Sequence, residues 1–359
     1  VAFGDAIDGD LVRRDFTVNA MAINVATRQF VDPYGGLDDL ADGVLRTPST
    51  PERSFSDDPL RMMRAARFAS RLGFTVAPEV VQAMKDMADR LAIVSKERIQ
   101  AEFTGLLLTD QPREGLDLLV RTGLADQFLP ELPALQLEID EHAHHKDVYQ
   151  HTLTVLDQAI ALEKDRGHEP DIVNRLAALL HDIGKPATRR FEGWKVTFHH
   201  HDVVGAKLIK KRLRELTYPA AVVKSVVKLT ELHLRFHGYS DGEWSDAAVR
   251  RYVRDAGDEL ERLHILTRAD CTTRNRNRAT RLRRAYEELE WRIDELAKQE
   301  ELNALRPHLD GTQIMEVLGI GPSREVGEAY KFLLEHRTDN GPIPHDEAVD
   351  LLRQWWRDR

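Results

Sequence analysis

Ser56–Leu72, SDDPLRMMRAARFASRL, is the stretch whose reading decides the fold. It reads as one helix, with Ser56 as N-cap, Asp57 and Asp58 at the positive helix end, and Pro59 in a first turn that tolerates a missing N–H. At about 100° per residue, Arg64, Arg67 and Arg71 fall in a narrow stripe, while Met62, Ala65, Ala66, Ala69 and Leu72 lie opposite. One face packs against a helical body and the other is a ladder of guanidinium groups. Asp58 and Arg61, three apart, reach outward side by side from the first turn. A carboxylate beside forked donors matches the Watson–Crick edge of cytosine or adenine, because the exocyclic amine donates and the ring acceptors receive. The helix alone leaves a second reading open, a surface ion pair between these two side chains.

The composition sets bounds on that reading. A chain of 359 residues holds about two to four domains. Charged residues make up 31% and the hydrophobic set 42%, and neither a membrane-length apolar run nor a secretory segment at the start is visible, so a soluble, cytoplasmic protein is expected. The single cysteine, Cys271, excludes an internal disulfide and a cysteine zinc knuckle. A net charge of −9 argues against indiscriminate nucleic-acid binding and leaves the work to local basic patches. Two such patches exist, Arg61–Arg71 and Arg268–Arg284. The second is equally well a solvated helix in which Arg283 and Arg284 pair with Glu287 and Glu288.

The first fifty residues read as β-rich. FTVNAMAINVA alternates small and branched apolar residues, and RQFVDPYGG runs an extended segment into a turn, which predicts a two-stranded ribbon. From Ser56 the signal is helical: PEVVQAMKDMADRL, SKERIQAEFTGLLL and PREGLDLLVRTGL each open on a Pro or Ser start. A second helical unit begins near His145, and a third near Arg274 runs to about Leu302 before short tail helices. There the Gly-Pro-Ser turn ahead of REVGEAYKFLLEH leaves free amides that can receive a phosphate, while Trp355 and Trp356 read equally as packing residues.

RRDFTVNAMA (Arg13–Ala22), DPYGGLDDLADGVLR (Asp32–Arg46) and DDPLRMMRAARFASRLGF (Asp57–Phe74) resemble three consecutive motifs of the class II tRNA CCA-adding nucleotidyltransferases and related bacterial poly(A) polymerases. The resemblance covers about Val1–Asp140 and implies addition of C, C and A to the tRNA 3′ end from CTP and ATP, with Mg2+ in the head domain. It implies that Asp58 and Arg61 form the protein template that selects the base. By the same likeness Arg64 and Arg67 serve the triphosphate or base, and Arg14 contacts the nucleotide. Asp57 stands where the family more often has glutamate. The family's GG-x-x-RD turn and D-x-D pair lie upstream of RRDFT by roughly a palm subdomain, and Val1 stands only a dozen residues before Arg13. Asp8 and Asp10 spell D-x-D but in a flexible start, and they are read as incidental. The chain as given is therefore expected not to transfer nucleotides, and its first fifty residues to be mobile or aggregation-prone.

The middle of the chain carries a second constellation. LAALLHDIGKPATR puts His181 and Asp182 at the end of an apolar helix, broken by Gly184 and followed by Lys185. His151 precedes them on a helix, and Asp270 follows in TRADC. An imidazole, a vicinal His-Asp and a late aspartate can close around one divalent cation, with His199, His201 and His233 as further candidate ligands. This resembles the HD phosphohydrolase domain. A retained fold without chemistry is the alternative, and His142, His144 and His145 are taken as surface residues. The expected protein is mainly α: a residual β segment of a nucleotidyltransferase palm (1–55), a helical neck with the template helix (56–144), an HD-type all-α domain (145–273) and a helical tail (274–359). Three function classes remain open: transferase, HD-type metal phosphohydrolase, and non-catalytic RNA-binding fragment.

Overall fold

Short-range polar contacts shape the head. In the computed structural model, which describes residues 7–137, 148–192, 195–236, 244–271, 276–300 and 306–359, the Asp15 carboxylate accepts from the Phe16 amide (2.9 Å) and the Asn19 side chain (3.0 Å). The chain bends there, so Thr17–Asn19 is a 3-10 turn rather than strand. The expected ribbon shrinks to β1 (Ala22–Ile23) antiparallel to β2 (Phe30–Val31), with Ala22 opposite Val31 and Ile23 opposite Phe30. Asp32 accepts from the amides of Gly36 (2.7 Å) and Leu37 (2.8 Å) and so starts α1 (Gly36–Asp42). A Cβ on Gly36 would sit 2.2 Å from the Thr17 carbonyl, which is why only glycine fits that approach.

β3 (Val44–Leu45) pairs in parallel with β4 (Thr75–Val76), and the crossover between them is α2 (Pro51–Asp57) and α3 (Leu60–Leu72). Ser56 therefore does not cap the arginine helix; it lies inside α2, whose cap is Thr50. The break falls at Asp58, extended at φ −150°, ψ 102°, because the residue before a proline is pushed out of the helical region. Asp58 then receives the Leu60 amide at 3.1 Å and starts α3 itself. Met62, Ala65, Ala66 and Ala69 are buried as expected, whereas Leu72, at the end of the helix, is 44% exposed.

Around α3 pack α5 (Lys96–Leu107), capped by Ser95, and α6 (Pro112–Arg121), with α4 (Pro78–Asp86) before them. Helices α3 and α6 touch backbone to backbone. A Cβ on Gly115 would lie 2.5 Å from the Ala66 carbonyl, and the Gly115 amide donates to Ser70 Oγ at 2.9 Å. Then follow α7 (Val148–Asp165), α8 (Ile172–Leu180), the hairpin β5 (Arg190–Glu192) with β6 (Lys195–Thr197), α9 (His201–Glu215) and α10 (Ala220–Leu232). Arg175 on α8 is fully buried. It pairs with Glu163 of α7 (3.0 Å) and donates to the carbonyls of Leu107 and Thr109 (2.7 Å each), which close α5. These orphan carbonyls need a donor at a buried helix end, and a guanidinium supplies it.

By internal contacts the chain divides into two units, Val1–Glu231 and Leu232–Arg359. The second holds α11 (Asp246–Ala256), α12 (Leu260–Asp270), α13 (Arg276–Glu300), α14 (Gly311–Leu318), α15 (Arg324–Asn340) and α16 (His345–Arg357). Arg283 and Arg284 do not pair with Glu287 and Glu288; Arg268 instead meets Glu290 (3.0 Å) and Glu287 (3.9 Å). The last three helices close over Leu309, Ile314, Ala329, Leu333, Ala348 and Leu352. Trp355 stacks on Phe332, with centroids 5.2 Å apart, and is a packing residue. His142, His144, His145, Arg274 and Leu302 lie outside the described residues.

Candidate functional site

Asp58 and Arg61 stand at the start of α3, but they do not pair with one another. Asp58 offers Oδ1 to the Leu60 amide and Oδ2 to Arg98 Nη2 of α5 at 2.7 Å. Arg61 donates through Nη1 to Ser54 Oγ (2.9 Å) and the Ser54 carbonyl (3.3 Å), and through Nη2 to the Arg13 carbonyl. The guanidinium is thereby laid along one wall of an open cavity of about 510 Å³, lined also by Gly9, Val12, Arg13, Arg53 and Asp57. That volume is within the range of small-molecule sites. Arg13 and Arg53 carry guanidinium groups with no partner among the described residues, so the cavity has positive charge left over for an anion.

The other predicted arginines are engaged. Arg64 is held by Asp15 (Nε to Oδ2, 2.8 Å) and meets Glu102 at 3.4 Å; Arg67 meets Glu102 at 2.6 Å. Burial alone would lower the Arg64 pKa, but these two carboxylates overcome it and raise it above its ordinary value. Both guanidinium groups lie over the Phe68 ring, 5.3 and 4.6 Å from its centroid. Arg14 is exposed and pairs with Asp10 at 2.9 Å, one turn away, so Asp10 is committed there and not to Asp8. Arg13, Arg53, Arg98 and Glu102 were not singled out in the sequence. Arg98 and Glu102 carried a signal, since they stand one turn apart at the start of a Ser-capped helix, with a charge pattern opposite in sign to that of Asp58, Arg64 and Arg67.

The second cluster is built on Asp182, which is buried in the turn after α8. His151 Nε2 on α7 lies 3.5 Å from its carboxylate, His181 Nε2 3.3 Å, His201 Nε2 at the start of α9 3.3 Å, and Lys185 Nζ 2.5 Å. His181 and His201 use Nδ1 on the carbonyls of Ala178 (2.9 Å) and Phe198 (2.8 Å), which fixes the ring orientation and turns Nε2 inward. Burial pushes the Asp182 carboxyl up, but the neighbouring His181 and Lys185 overcome it and hold it well below the usual carboxylate range. The turn and α9 meet at glycines. A Cβ on Gly184 would lie 2.1 Å from the His201 carbonyl and 2.6 Å from the Gly205 amide. His200 takes φ 62°, a strained left-handed position for a residue with a Cβ, and this kink brings His201 onto Asp182.

His199 is not brought in: its side chain is 66% exposed, 3.8 Å from Glu192. The left-handed kink at His200 separates His199 from His201, the first residue of α9. His233 and Asp270 belong to the second unit, where His233 is buried and Asp270 ends α12. The donor set within the first unit fits a divalent cation, being three imidazole nitrogens, two of them of fixed orientation, around one ionised carboxylate. Asp8 and Asp10 do not fit a paired-metal site. They stand two apart on the one-turn helix Asp8–Leu11, where side chains at that spacing diverge, and Asp10 is already paired with Arg14.

Three family models match in chain order: "Poly A polymerase head domain" at residues 1–46, "Probable RNA and SrmB- binding site of polymerase A" at 73–135 and "HD domain" at 148–275. An A-adding tRNA nucleotidyltransferase of Deinococcus radiodurans is 35% identical, covering 97% of this chain and 79% of that protein. A CC-adding tRNA nucleotidyltransferase of Thermus thermophilus is 32% identical, over 97% and 77%. Among solved structures, the Bacillus stearothermophilus CCA-adding enzyme in complex with CTP aligns at TM-score 0.68 and 23% identity, covering all of this chain and 76% of that one. The Thermotoga maritima CCA-adding enzyme complexed with tRNA aligns at 0.59 and 18%, over 98% and 74%.

Proposed function

Because the chain belongs to the class II tRNA CCA-adding nucleotidyltransferase and poly(A) polymerase family with an HD domain, we propose that Asp58 and Arg61 select CTP or ATP for untemplated addition to a tRNA 3′ end, with release of pyrophosphate. The observation that carries the proposal is the arginine-lined cavity at the start of α3, with Arg61 on its wall and Asp58 held in place three residues earlier. Asp58 accepts from the exocyclic amine of cytosine or adenine, and the remaining N–H groups of Arg61 donate to ring acceptors. Uracil and guanine present a carbonyl oxygen in place of that amine and meet the carboxylate unfavourably. Arg13 and Arg53 receive phosphate oxygens, as does Arg14 after it exchanges Asp10 for a phosphate. Arg64 and Arg67, neutralised by Asp15 and Glu102, hold α3 beneath the nucleotide and present their free N–H groups to it. Mg2+ is the family's ion for the transfer itself. The two close relatives add A and CC respectively, so nucleotidyl transfer to the tRNA end is the step they share. Its relatives are named for action on tRNA, so its partners are tRNA and nucleotides and its place is the cytoplasm. No helix among the described residues is long and apolar enough to cross a membrane.

Equilibrium binding of CTP, ATP, UTP and GTP tests the selection, and incorporation of labelled CMP or AMP into tRNA lacking its CCA end tests the transfer. Loss of one specific base contact is worth about 1–3 kcal/mol, so Arg61→Ala lowers CTP over UTP discrimination about 5- to 150-fold. Unchanged discrimination with uniformly weaker binding makes Arg61 a phosphate ligand instead.

A second activity is favoured by the Asp182 cluster: phosphohydrolysis at a divalent metal held by His151, His181, Asp182 and His201. Sequence order adds Asp270 and His233 as proposed ligands. A cation bound there supplies Lewis-acid polarisation of a phosphoryl oxygen. Lys185, 2.5 Å from Asp182, can meet the substrate's phosphate charge. Metal-dependent hydrolysis of 2′,3′-cyclic nucleotides, lost in Asp182→Ala, tests this reading.

A further inference from the structure

We propose that Phe191, with Arg189 laid against its ring, is the base-stacking residue of the Asp182 site, so that the site prefers a phosphate ester carrying a nucleobase to one without. The inference rests on the reading of the Asp182 cluster as a phosphohydrolase centre. An exposed apolar side chain is common and by itself points to nothing. Here the ring on β5 is 63% exposed, and the Arg189 guanidinium stands over it with its central carbon 4.9 Å from the centroid. The two residues are two apart where the chain enters the strand, so both lie on one face of the hairpin. Arginine covers part of the ring and leaves most of it open. The result is a flat π surface with positive charge behind it, the pairing that receives a base beside its phosphate.

The hairpin that carries this surface is rooted in the cluster at both ends. On the entering side Lys185 reaches Asp182 with Nζ at 2.5 Å, and its turn, Lys185–Thr188, runs straight into β5. Thr188 Oγ1 closes that turn on the Gly184 carbonyl at 3.0 Å. On the leaving side the Phe198 carbonyl accepts from His201 Nδ1 at 2.8 Å, and the Phe198 ring centroid lies 5.8 Å from the same Lys185 Nζ. One ammonium group therefore touches both the central carboxylate and the root of the hairpin. Phe191 pairs with Val196, two residues before Phe198, a strand distance of about 7 Å. That puts the open ring within reach of a dinucleotide whose terminal phosphate sits at the cluster. Lys185 and a bound cation meet the phosphate of any ester alike, so discrimination by what the phosphate is attached to has to come from the surface beside them. Among the described residues from Lys185 to His201, Phe191 is the exposed aromatic.

The test uses the full chain loaded with Mn2+ and the variants Phe191→Ala, Phe191→Leu and Phe191→Trp. Hydrolysis of the dinucleotide ApA 2′,3′-cyclic phosphate is compared with that of glycerol 1,2-cyclic phosphate, which presents a five-membered cyclic ester without a base. Phe191→Ala should lower the ratio of kcat/KM for the dinucleotide over the glycerol ester about 5- to 150-fold, the range for one lost base stack, and the change should fall on KM. Phe191→Leu should lose the ratio likewise, and Phe191→Trp should keep it. Independently of turnover, 2-aminopurine in a dinucleotide 3′-phosphate is quenched when stacked, and quenching by the parent should disappear in Phe191→Ala. Metal content after dialysis should equal the parent's in every variant, because the ring donates nothing to a cation. An unchanged ratio in Phe191→Ala overturns the inference, and so does a ratio kept in Phe191→Leu, which would make the contact apolar rather than stacked. A ratio lost together with the metal overturns it too, since the hairpin would then only hold the cluster together. If the parent hydrolyses neither ester, the phosphohydrolase reading fails and this inference with it; if it hydrolyses both and the ratio ignores residue 191, the role of Phe191 alone is overturned.

Discussion

Replacing Gly184 by alanine tests how the Asp182 cluster is assembled. The new Cβ would stand 2.1 Å from the His201 carbonyl oxygen, 2.6 Å from the Gly205 amide and 3.0 Å from the His201 carbonyl carbon. All three are backbone atoms in the first turns of α9, so no rotamer change relieves the clash, and ordinary contact requires a separation of about 1 Å. Overpacking of this kind costs about 1–3 kcal/mol, and a purely backbone clash belongs at the upper end. For a unit of this size each kcal/mol lowers the melting temperature by about 2–4 °C, which gives a fall of about 6–12 °C. The same displacement carries His201 Nε2 away from Asp182 Oδ1, now 3.3 Å apart, and retention of a divalent cation should fall about 10- to 100-fold. Differential scanning calorimetry and elemental analysis after dialysis read the two effects. Gly9→Ala serves as control, because no atom of the described residues lies within 4 Å of its Cβ. If Gly184→Ala melts within about a degree of the parent with equal metal content, the close approach of turn and helix does not build the site.

Asp182→Ala should remove the metal while leaving nucleotide binding by Arg61 intact; equal metal content in parent and variant by elemental analysis would count against the cluster. Arg175→Ala strands the buried Glu163 carboxylate, whose pKa burial already raises, together with the carbonyls of Leu107 and Thr109. Urea unfolding should show a loss of about 3–5 kcal/mol, and a loss below about 1 kcal/mol refutes the buried network. In the tail, burial and the Arg337 charge hold His308 below its ordinary 6.5, and its Nε2 accepts from the Ile343 amide at 3.1 Å, which a protonated ring cannot do. The folded tail binds that proton less readily than the unfolded chain. Its stability is therefore whole above about pH 6.5 and declines as pH falls from there toward the lowered folded value, and a slope that His308→Gln leaves unchanged would show that another group titrates.

Much of this protein was legible in its sequence because the signals are local. The packing stripe of α3, the Ser95 cap of α5, the helix ending at His181–Asp182 and the three head and neck motifs are set by side-chain period, capping chemistry and short spacing, all of which act within a few residues. The start of α3 was misplaced for a local reason too. Thr50–Pro51 is a cap followed by a proline at the first helical position, and Asp58–Pro59 disfavours helix at Asp58, so the break could have been read there and Ser56 set aside. What tertiary structure alone decided was which charges are spent and which remain. Arg64 and Arg67 are met by Asp15 and Glu102, Asp58 by Arg98, and Arg61 by Ser54 and the Arg13 carbonyl. The cavity's unmatched charge therefore comes from Arg13 and Arg53 rather than from the ladder on α3. Except for Ser54, seven residues from Arg61, these partners stand 35 to 49 residues apart and leave no trace in a periodicity, because their encounter depends on how whole helices pack. The choice of His201 over His199 has the same origin: both stand in FHHHD, and only the contact of Gly184 with the first turn of α9 determines which imidazole reaches Asp182.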